Sequence, residues 1–173
     1  MTPRDIRRLF ELLNAELAKE DISGELFVVG GAVMCLVYAA RESTRDVDAL
    51  FRPASKLRAA AARIATRAGI EPGWLNDGVK AFLSEKGAFD SFLELSHLRV
   101  MVAQPEYMLA MKCLSMRIGE EFHDEDDVRY LLRHLGVESY DAALEIIGRF
   151  YPRERFPQKT LYALEELTTP GKK

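Results

Sequence analysis

Two glycines and two aspartates stand close together in the chain and could jointly handle phosphate and a divalent metal ion. Gly30 and Gly31 directly follow an apolar run that ends at Val29, and Asp46 stands fifteen residues after Gly31, with Asp48 two residues further on. Glycine has no Cβ, so phosphate can approach its backbone closely, and N–H groups at the start of a helix favour anions. Paired carboxylates are oxygen ligands that suit Mg²⁺. The spacing therefore predicts a phosphate-binding turn next to a site for a divalent metal ion.

The two aspartates would share one face of a strand. Side chains two residues apart on a strand point the same way, so Val47 and Ala49 would face the core instead. Two carboxylates on one face repel each other unless a cation lies between them. One alternative is a pair of surface aspartates that are solvated or paired with nearby arginines, and the alternative for the two glycines is ordinary turn chemistry. The order strand, Gly-Gly, helix, strand, Asp-x-Asp favours the metal site.

The surrounding hydrophobic pattern supplies the elements that must position these groups. Apolar runs predict strands at 26–29, 46–51, 91–96 and 98–103. Helical spacing predicts helices at 2–20, 32–40, 55–68, 105–117, 126–135, 139–150 and 158–167. The expected fold class is α/β (α+β), with a small mixed sheet flanked by helices in residues 1–103. Residues 104–173 form a helical part that we expect to pack on this core.

Composition restricts the class of protein. The chain has 173 residues, of which 48% are hydrophobic, and a net charge of −3, so it has no overall basic footprint for nucleic acid. No apolar run approaches the ~20 residues of a membrane span, and the first residues are charged, so we expect a cytoplasmic protein with no membrane partner. Cys35 and Cys113 each lie in an apolar run, which favours buried thiols over a disulfide or a metal site.

A family resemblance rests on these motifs taken together. Gly-Gly, a short helix and the run from Thr44 to Asp48, TRDVD, resemble the signature of the DNA-polymerase-β nucleotidyltransferase superfamily. The run WLND at 74–77 and a later helix pair with Lys112 and Asp127 make the chain similar to minimal nucleotidyltransferase-like proteins. These are related to the nucleotidyltransferases of abortive-infection and toxin–antitoxin systems. The resemblance extends from about residue 27 to residue 132 and implies the nucleotidyltransferase fold.

The resemblance also implies an activity. Gly30 and Gly31 would hold the triphosphate of an NTP, and Asp46 and Asp48 would bind Mg²⁺ (or Mn²⁺). A nucleoside monophosphate would then pass to an acceptor hydroxyl, for the toxin relatives the 3′ end of a tRNA, and a toxin would have a cognate antitoxin as partner. A hydroxyl of a protein or a small molecule is another acceptor in the superfamily. The alternative is a catalytically degenerate module of the same fold that binds nucleotide or another protein.

The helical part contributes further candidates through the same resemblance. Lys112 matches the family's lysine, Arg117 the basic residue after it, and Asp127 the aspartate of the next helix. Asp124 completes a D-x-x-D spacing, with Asp126 as the alternative register. Lys112 lies in an otherwise apolar helix, where an ammonium group needs a carboxylate or a phosphate. A purely structural ion pair with Asp127 is the alternative.

Four remaining candidates complete the predicted site. The superfamily usually adds a third carboxylate from a later strand, and Glu94 is chosen here over Asp90 as that metal ligand. Thr44 could offer its hydroxyl to a phosphate or cap the strand. Arg41 could clamp phosphates or remain a solvated loop residue. Asn76 lies two residues after Trp74, a residue type that is usually buried in the core, and could contact a base or a ribose.

Overall fold

The protein is a mixed α/β chain that divides into two compact units. The computed structural model describes residues 1–117 and 123–169 and contains, within them, seven α-helices and one five-stranded mixed sheet. The first unit comprises residues 1–81 and 89–103, and the second comprises residues 82–88 and the chain from Gln104 onward. The predicted boundary at residue 103 coincides with the end of the first unit's second segment, and residues 82–88 lie in the second unit. No helix of the described residues is long and apolar enough to cross a membrane.

The first unit holds the whole sheet. Its elements are α1 (Pro3–Ala18), β1 (Gly24–Val29), α2 (Gly30–Leu36), β2 (Val47–Arg52), α3 (Ala54–Ala68), β3 (Leu75–Asn76), β4 (Phe89–Glu94) and β5 (Leu98–Ala103). The strand order is β3-β2-β1-β5-β4. β1 pairs with β2 and β4 pairs with β5 in antiparallel fashion, whereas the pairs β1–β5 and β2–β3 are parallel. Strand β1 therefore lies at the centre of the sheet.

Helices α1 and α3 cover one face of this sheet. Leu26 and Val28 of β1 and Ala49 of β2 alternate along their strands and are fully buried. A Cβ placed on Gly24 would lie 2.8 Å from Leu17 Cδ1 of α1, which shows how closely this helix approaches β1. Because side chains alternate along a strand, Asp48 lies on the opposite face, where it is half-buried.

A buried carboxylate joins α1 to α3. Glu16 is 3% exposed and accepts hydrogen bonds from Lys19 at 2.5 Å, from Arg63 Nε at 2.8 Å and from Arg67. The bonds from Lys19 and Arg63, and a weaker effect of Arg67, lower the pKa of Glu16 from 4.5 to about 2 against the opposing effect of its burial. A folded-state pKa below the unfolded value means that the charged form stabilises the fold above about pH 4.5.

Replacement of Glu16 by glutamine is therefore expected to destabilise the protein in a pH-dependent way. The stabilisation is fully present at neutral pH and is lost as the pH falls from about 4.5 toward about 2. Urea unfolding at a series of pH values should show a difference between Glu16→Gln and the wild type that shrinks over this range. Glu11→Gln, an exposed position of the same helix, is the control. A constant difference at all pH values would contradict the pKa assignment.

The second unit is helical and is organised around α4. Its helices are α4 (Pro105–Ser115), α5 (Asp124–His134), α6 (Tyr140–Gly148) and α7 (Gln158–Thr168), and α4 packs against the other three. Residues 82–88 belong to this unit because they bind to it. Ser84 N–H donates to the Tyr107 hydroxyl at 2.9 Å, and Ser84 Oγ donates to the Phe150 carbonyl at 2.7 Å.

Both cysteines are buried free thiols, as their apolar surroundings predicted. Cys35 lies in α2 of the first unit and Cys113 in α4 of the second. Burial raises the pKa of Cys113 to about 12, so this thiol is neutral at ordinary pH.

Candidate functional site

The turn between β1 and α2 lies beside the carboxylate of Asp48. Val29, the last residue of β1, is directly opposite Asp48 in the antiparallel pairing. Gly30 follows with a φ of +67°, a left-handed conformation that strains most other residues. A Cβ on Gly30 would lie only 3.1 Å from Asp48 Oδ2. The glycine thus allows both the turn and the close approach of the carboxylate.

Gly31 brings two further candidates to the same turn. A Cβ at this position would lie 2.7 Å from Thr44 Oγ1 and 3.7 Å from Arg41 Nη1. Thr44 also stabilises its own loop, because its hydroxyl donates to the Asp46 carbonyl at 3.2 Å. Gly31, Thr44 and Arg41 are therefore neighbours, as the predicted phosphate site requires.

Helix α2 is shorter than the sequence pattern predicted. It begins at Gly30 and ends at Leu36, whereas the apolar run suggested residues 32–40. Its buried residues are confined to positions 32–35, and the exposed Val37 follows its end. Because the helix has only seven residues, we assign any attraction for phosphate to individual N–H groups and to the charge of Arg41 rather than to a helix dipole.

Asn76, on strand β3, contacts one of the two aspartates Asp46 and Asp48, which we call the acidic pair. It is opposite Asp48 in the parallel pairing of β2 with β3. Its Nδ2 donates to Asp46 Oδ2 at 3.2 Å, and its Oδ1 accepts from Gly78 N–H at 3.1 Å. The sequence pattern missed β3, because the strand is two residues long and lies in a segment with the composition of a loop. The available signal was the apolar pair at 74–75, of which Trp74 is 1% exposed.

Asp77, the next residue, points elsewhere. Its carboxylate pairs with Arg58 at 2.7 Å and with Lys80. The hydrogen bond from Lys80, together with the positive charge of Arg58, lowers its pKa against the opposing effect of burial. Asp77 is therefore engaged by two cations outside the acidic pair.

Glu94 does not join the acidic pair, so its assignment as the third metal ligand is wrong. It lies on the edge strand β4, opposite Arg99 of β5, and is exposed. Strands β5 and β1 stand between β4 and β2. Three strand spacings correspond to roughly 14 Å, which no metal ion can bridge. Asp90, the other candidate, lies on the same edge strand.

The second unit holds a separate cluster of buried charges. Lys112 of α4 is 8% exposed, and its Nζ lies 2.6 Å from Asp127 Oδ2 and 3.3 Å from Asp124 Oδ1 of α5. The two aspartates are 2% and 4% exposed and lie on one face of α5 because they are three residues apart. Lys112 thus has the structural ion pair that was one of its two predicted roles.

Arg117 completes this cluster, whereas Asp126 does not belong to it. Arg117 Nε donates to Asp124 Oδ2 at 2.9 Å. Burial favours a higher pKa for Asp124, but the hydrogen bond from Arg117 and the charge of Lys112 outweigh it and hold that pKa below its usual value. Asp126 is exposed and lies 4.0 Å from His123, so the alternative register is wrong.

The acidic pair fits a magnesium or manganese ion through its donor chemistry. Asp46 and Asp48 are carboxylate donors, and Asp48 Oδ2 lies beside the glycine turn, 3.1 Å from the position of a Cβ on Gly30. Mg²⁺ commonly binds one or two carboxylates and takes its other ligands from water and substrate phosphates. Within residues 1–117 and 123–169, no group of three or more His, Cys, Asp or Glu side chains is placed to hold a metal ion.

Comparison with known proteins does not extend this description. No protein-family model, no curated protein and no solved structure matches the chain. The arguments for function therefore rest on the geometry of the two units and on the motifs themselves.

Replacement of Gly31 by alanine tests the packing of the turn. The new Cβ would meet Thr44 Oγ1 at 2.7 Å, so we expect a loss of about 1–3 kcal/mol in the free energy of unfolding. Urea unfolding measures it. Gly73→Ala is the matched control, because a Cβ there has nothing within 4 Å. Equal stability of both variants would mean that Thr44 moves away freely and that the turn is not tightly packed.

Proposed function

We propose that the protein is a metal-dependent nucleotidyltransferase, which transfers a nucleoside monophosphate from an NTP to an acceptor hydroxyl. The observation that carries the proposal is the contact of the glycine turn with the acidic pair. Asp48 is in register with Val29, and its carboxylate lies 3.1 Å from the position of a Cβ on Gly30. A phosphate held by the backbone of this turn would therefore lie next to metal-binding oxygens.

The candidate site residues of the first unit each have a role in this proposed reaction. Gly30 and Gly31 leave their backbone N–H groups accessible to the triphosphate, and Arg41 offers a guanidinium group that can bind phosphate oxygens in pairs. Asp46 and Asp48 would hold the metal ion, which would supply Lewis-acid chemistry to the phosphate and the acceptor hydroxyl. The remaining contribution of these residues is to fix the geometry of attack.

The bond changes follow from the substrate. The acceptor oxygen forms a bond to the α-phosphorus, the bond from that phosphorus to the bridging oxygen breaks, and pyrophosphate leaves with the electron pair. Because Glu94 lies three strands from the pair, it cannot take the hydroxyl proton. Water and the carboxylates of the pair are the remaining acceptors of that proton. The roles of Lys112, Arg117 and Asp127 in catalysis stay predictions, since their observed contacts are structural.

The acceptor that the family resemblance suggests is the 3′ end of a tRNA. Incubation with each α-labelled NTP, Mg²⁺ and total RNA tests this proposal, with Asp46→Ala as the control. Label in tRNA from the wild type alone would support it. Label in a protein or in a small molecule would support transferase activity with an acceptor other than tRNA. The absence of a labelled product with every NTP would contradict transferase activity. A toxin of this kind should also arrest growth on expression, with relief by a cognate antitoxin.

A second candidate function is favoured by one observation. The position opposite Asp48 on β3 carries the amide of Asn76 instead of a carboxylate. A degenerate member of the fold that binds nucleotide, or another protein, without catalysis would look like this. Such a module would bind an NTP in the presence of Mg²⁺ and would release no pyrophosphate.

A further inference from the structure

Beside the acidic pair, where a third carboxylate ligand was expected, the chain has the amide of Asn76. Strand β3 is the outer neighbour of β2, and Asn76 is opposite Asp48 in the register of the two strands. The hydrogen bond from Asn76 Nδ2 to Asp46 Oδ2 at 3.2 Å shows that it does reach the pair. Two nearby or predicted carboxylates do not supply this position, because Asp77 pairs with Arg58 and Lys80, and Glu94 lies on the far edge of the sheet.

Both partners of Asn76 determine which way its amide faces. The backbone N–H of Gly78 can only donate, so it requires Asn76 Oδ1. The Asp46 carboxylate accepts the hydrogen bond, so it requires Nδ2. Rotation of the amide by half a turn would set donor against donor and acceptor against acceptor. Asn76 therefore presents hydrogen atoms, not a ligand oxygen, to the acidic pair.

We propose that Asn76 is a positioning residue that orients Asp46 and limits the site to one divalent cation, which enters with the triphosphate. This inference rests on the proposed function and names the metal stoichiometry of the same site. Sites with two metal ions hold them about 3.5–4 Å apart and need carboxylates that neutralise both. Among the described residues, the carboxylates assigned to this site are those of Asp46 and Asp48, and Asn76 adds a donor that carries no negative charge. Without the phosphates of the substrate, even one cation should bind weakly.

Manganese binding tests this proposal without any measurement of activity. We would count Mn²⁺ ions per chain by equilibrium dialysis and electron paramagnetic resonance, with and without a non-hydrolysable nucleoside triphosphate. The wild type should bind one ion per chain with the nucleotide. Asn76→Asp should bind Mn²⁺ without nucleotide at least about tenfold more tightly than the wild type, because a third carboxylate then faces the site.

The chain offers a matched control for this change. Asn14 is the other asparagine of the sequence, lies on α1, and accepts a hydrogen bond from His97 N–H at 2.8 Å. Asn14→Asp makes the same chemical change away from the acidic pair and should leave Mn²⁺ binding as in the wild type. Asn76→Ala removes the donor without adding charge, so it should keep one ion per chain and weaken binding of the metal nucleotide about tenfold.

The possible results separate this inference from the function on which it rests. Two Mn²⁺ ions per wild-type chain with the nucleotide would overturn the single-cation proposal and leave the transferase standing. Equal Mn²⁺ affinity in Asn76→Asp and Asn14→Asp, or wild-type nucleotide affinity in a folded Asn76→Ala, would overturn the role of Asn76. If the wild type binds no Mn²⁺ even with the nucleotide, and Asp46→Ala gives the same Mn²⁺ result, both the proposed function and the inference are overturned.

Discussion

Asp48→Asn is expected to lower the rate of nucleotidyl transfer by at least about 10³-fold, which corresponds to ~4 kcal/mol of transition-state stabilisation. The amide keeps the size of the side chain and its position opposite Val29, but it removes the negative charge beside the glycine turn. The loss should therefore appear in the chemical step and not in the fold. Pyrophosphate release in Mg²⁺ measures the rate, and urea unfolding measures the stability.

Asp90→Asn provides the matched control for this prediction. Asp90 is exposed and lies on the edge strand β4 of the same sheet. The same charge change therefore occurs far from the glycine turn. We expect its rate to stay within about threefold of the wild type, a difference below 1 kcal/mol. An active Asp48→Asn variant, or an equally inactive Asp90→Asn variant, would contradict the assignment of the acidic pair.

Lys112→Met is expected to lower the free energy of unfolding by about 3–5 kcal/mol. Lys112 is the shared partner of Asp124 and Asp127, which are almost completely buried. Removal of the ammonium group takes from both carboxylates their shared cationic partner in a poorly solvated place. Asp124 keeps its bond to Arg117, so the larger cost should fall on Asp127. Urea unfolding at neutral pH measures the loss.

Two further variants show whether buried charge is the cause. Arg129→Met breaks the exposed pair of Arg129 with Glu125, whose atoms are 3.0 Å apart on the same helix α5. Its cost should be at most about 0.5 kcal/mol, because exposed pairs contribute little. Lys112→Met combined with Asp127→Asn should recover part of the lost stability, since it removes one of the stranded charges. A cost below about 1 kcal/mol for Lys112→Met would contradict the account of the cluster.

The elements of the fold could be predicted where the hydrophobic pattern is strong. Strand β5 matches its predicted range, and α3 and α7 begin and end within one residue of theirs, because their apolar residues recur at the proper period. The order of the strands could not be predicted. β5 inserts between β1 and β4 by a parallel pairing that joins distant parts of the chain, and no local pattern encodes it. The error at Glu94 follows directly, because a strand can carry a carboxylate and still lie at the wrong edge.

The same distinction explains which site residues the sequence indicated. Gly30 and Asp48 belong to one continuous strand–helix–strand segment, so their spacing alone predicted that they lie close together. Asn76 lies 30 residues from Asp46 and reaches it through the register of a two-residue strand. That register depends on the backbone bond from Val47 N–H to the Trp74 carbonyl at 2.7 Å, a tertiary contact. Local composition indicated a loop there and gave no sign of the pairing.

A crystal structure with Mn²⁺ and a non-hydrolysable nucleoside triphosphate is the most direct test of the central claim, that the glycine turn and the acidic pair form one metal-dependent nucleotide site. The account predicts an anomalous peak within about 2.2 Å of carboxylate oxygens of Asp46 and Asp48. It also predicts triphosphate oxygens on the N–H groups of Gly30 and Gly31. A nucleotide bound elsewhere, or a bound nucleotide with no metal at the acidic pair, would contradict it.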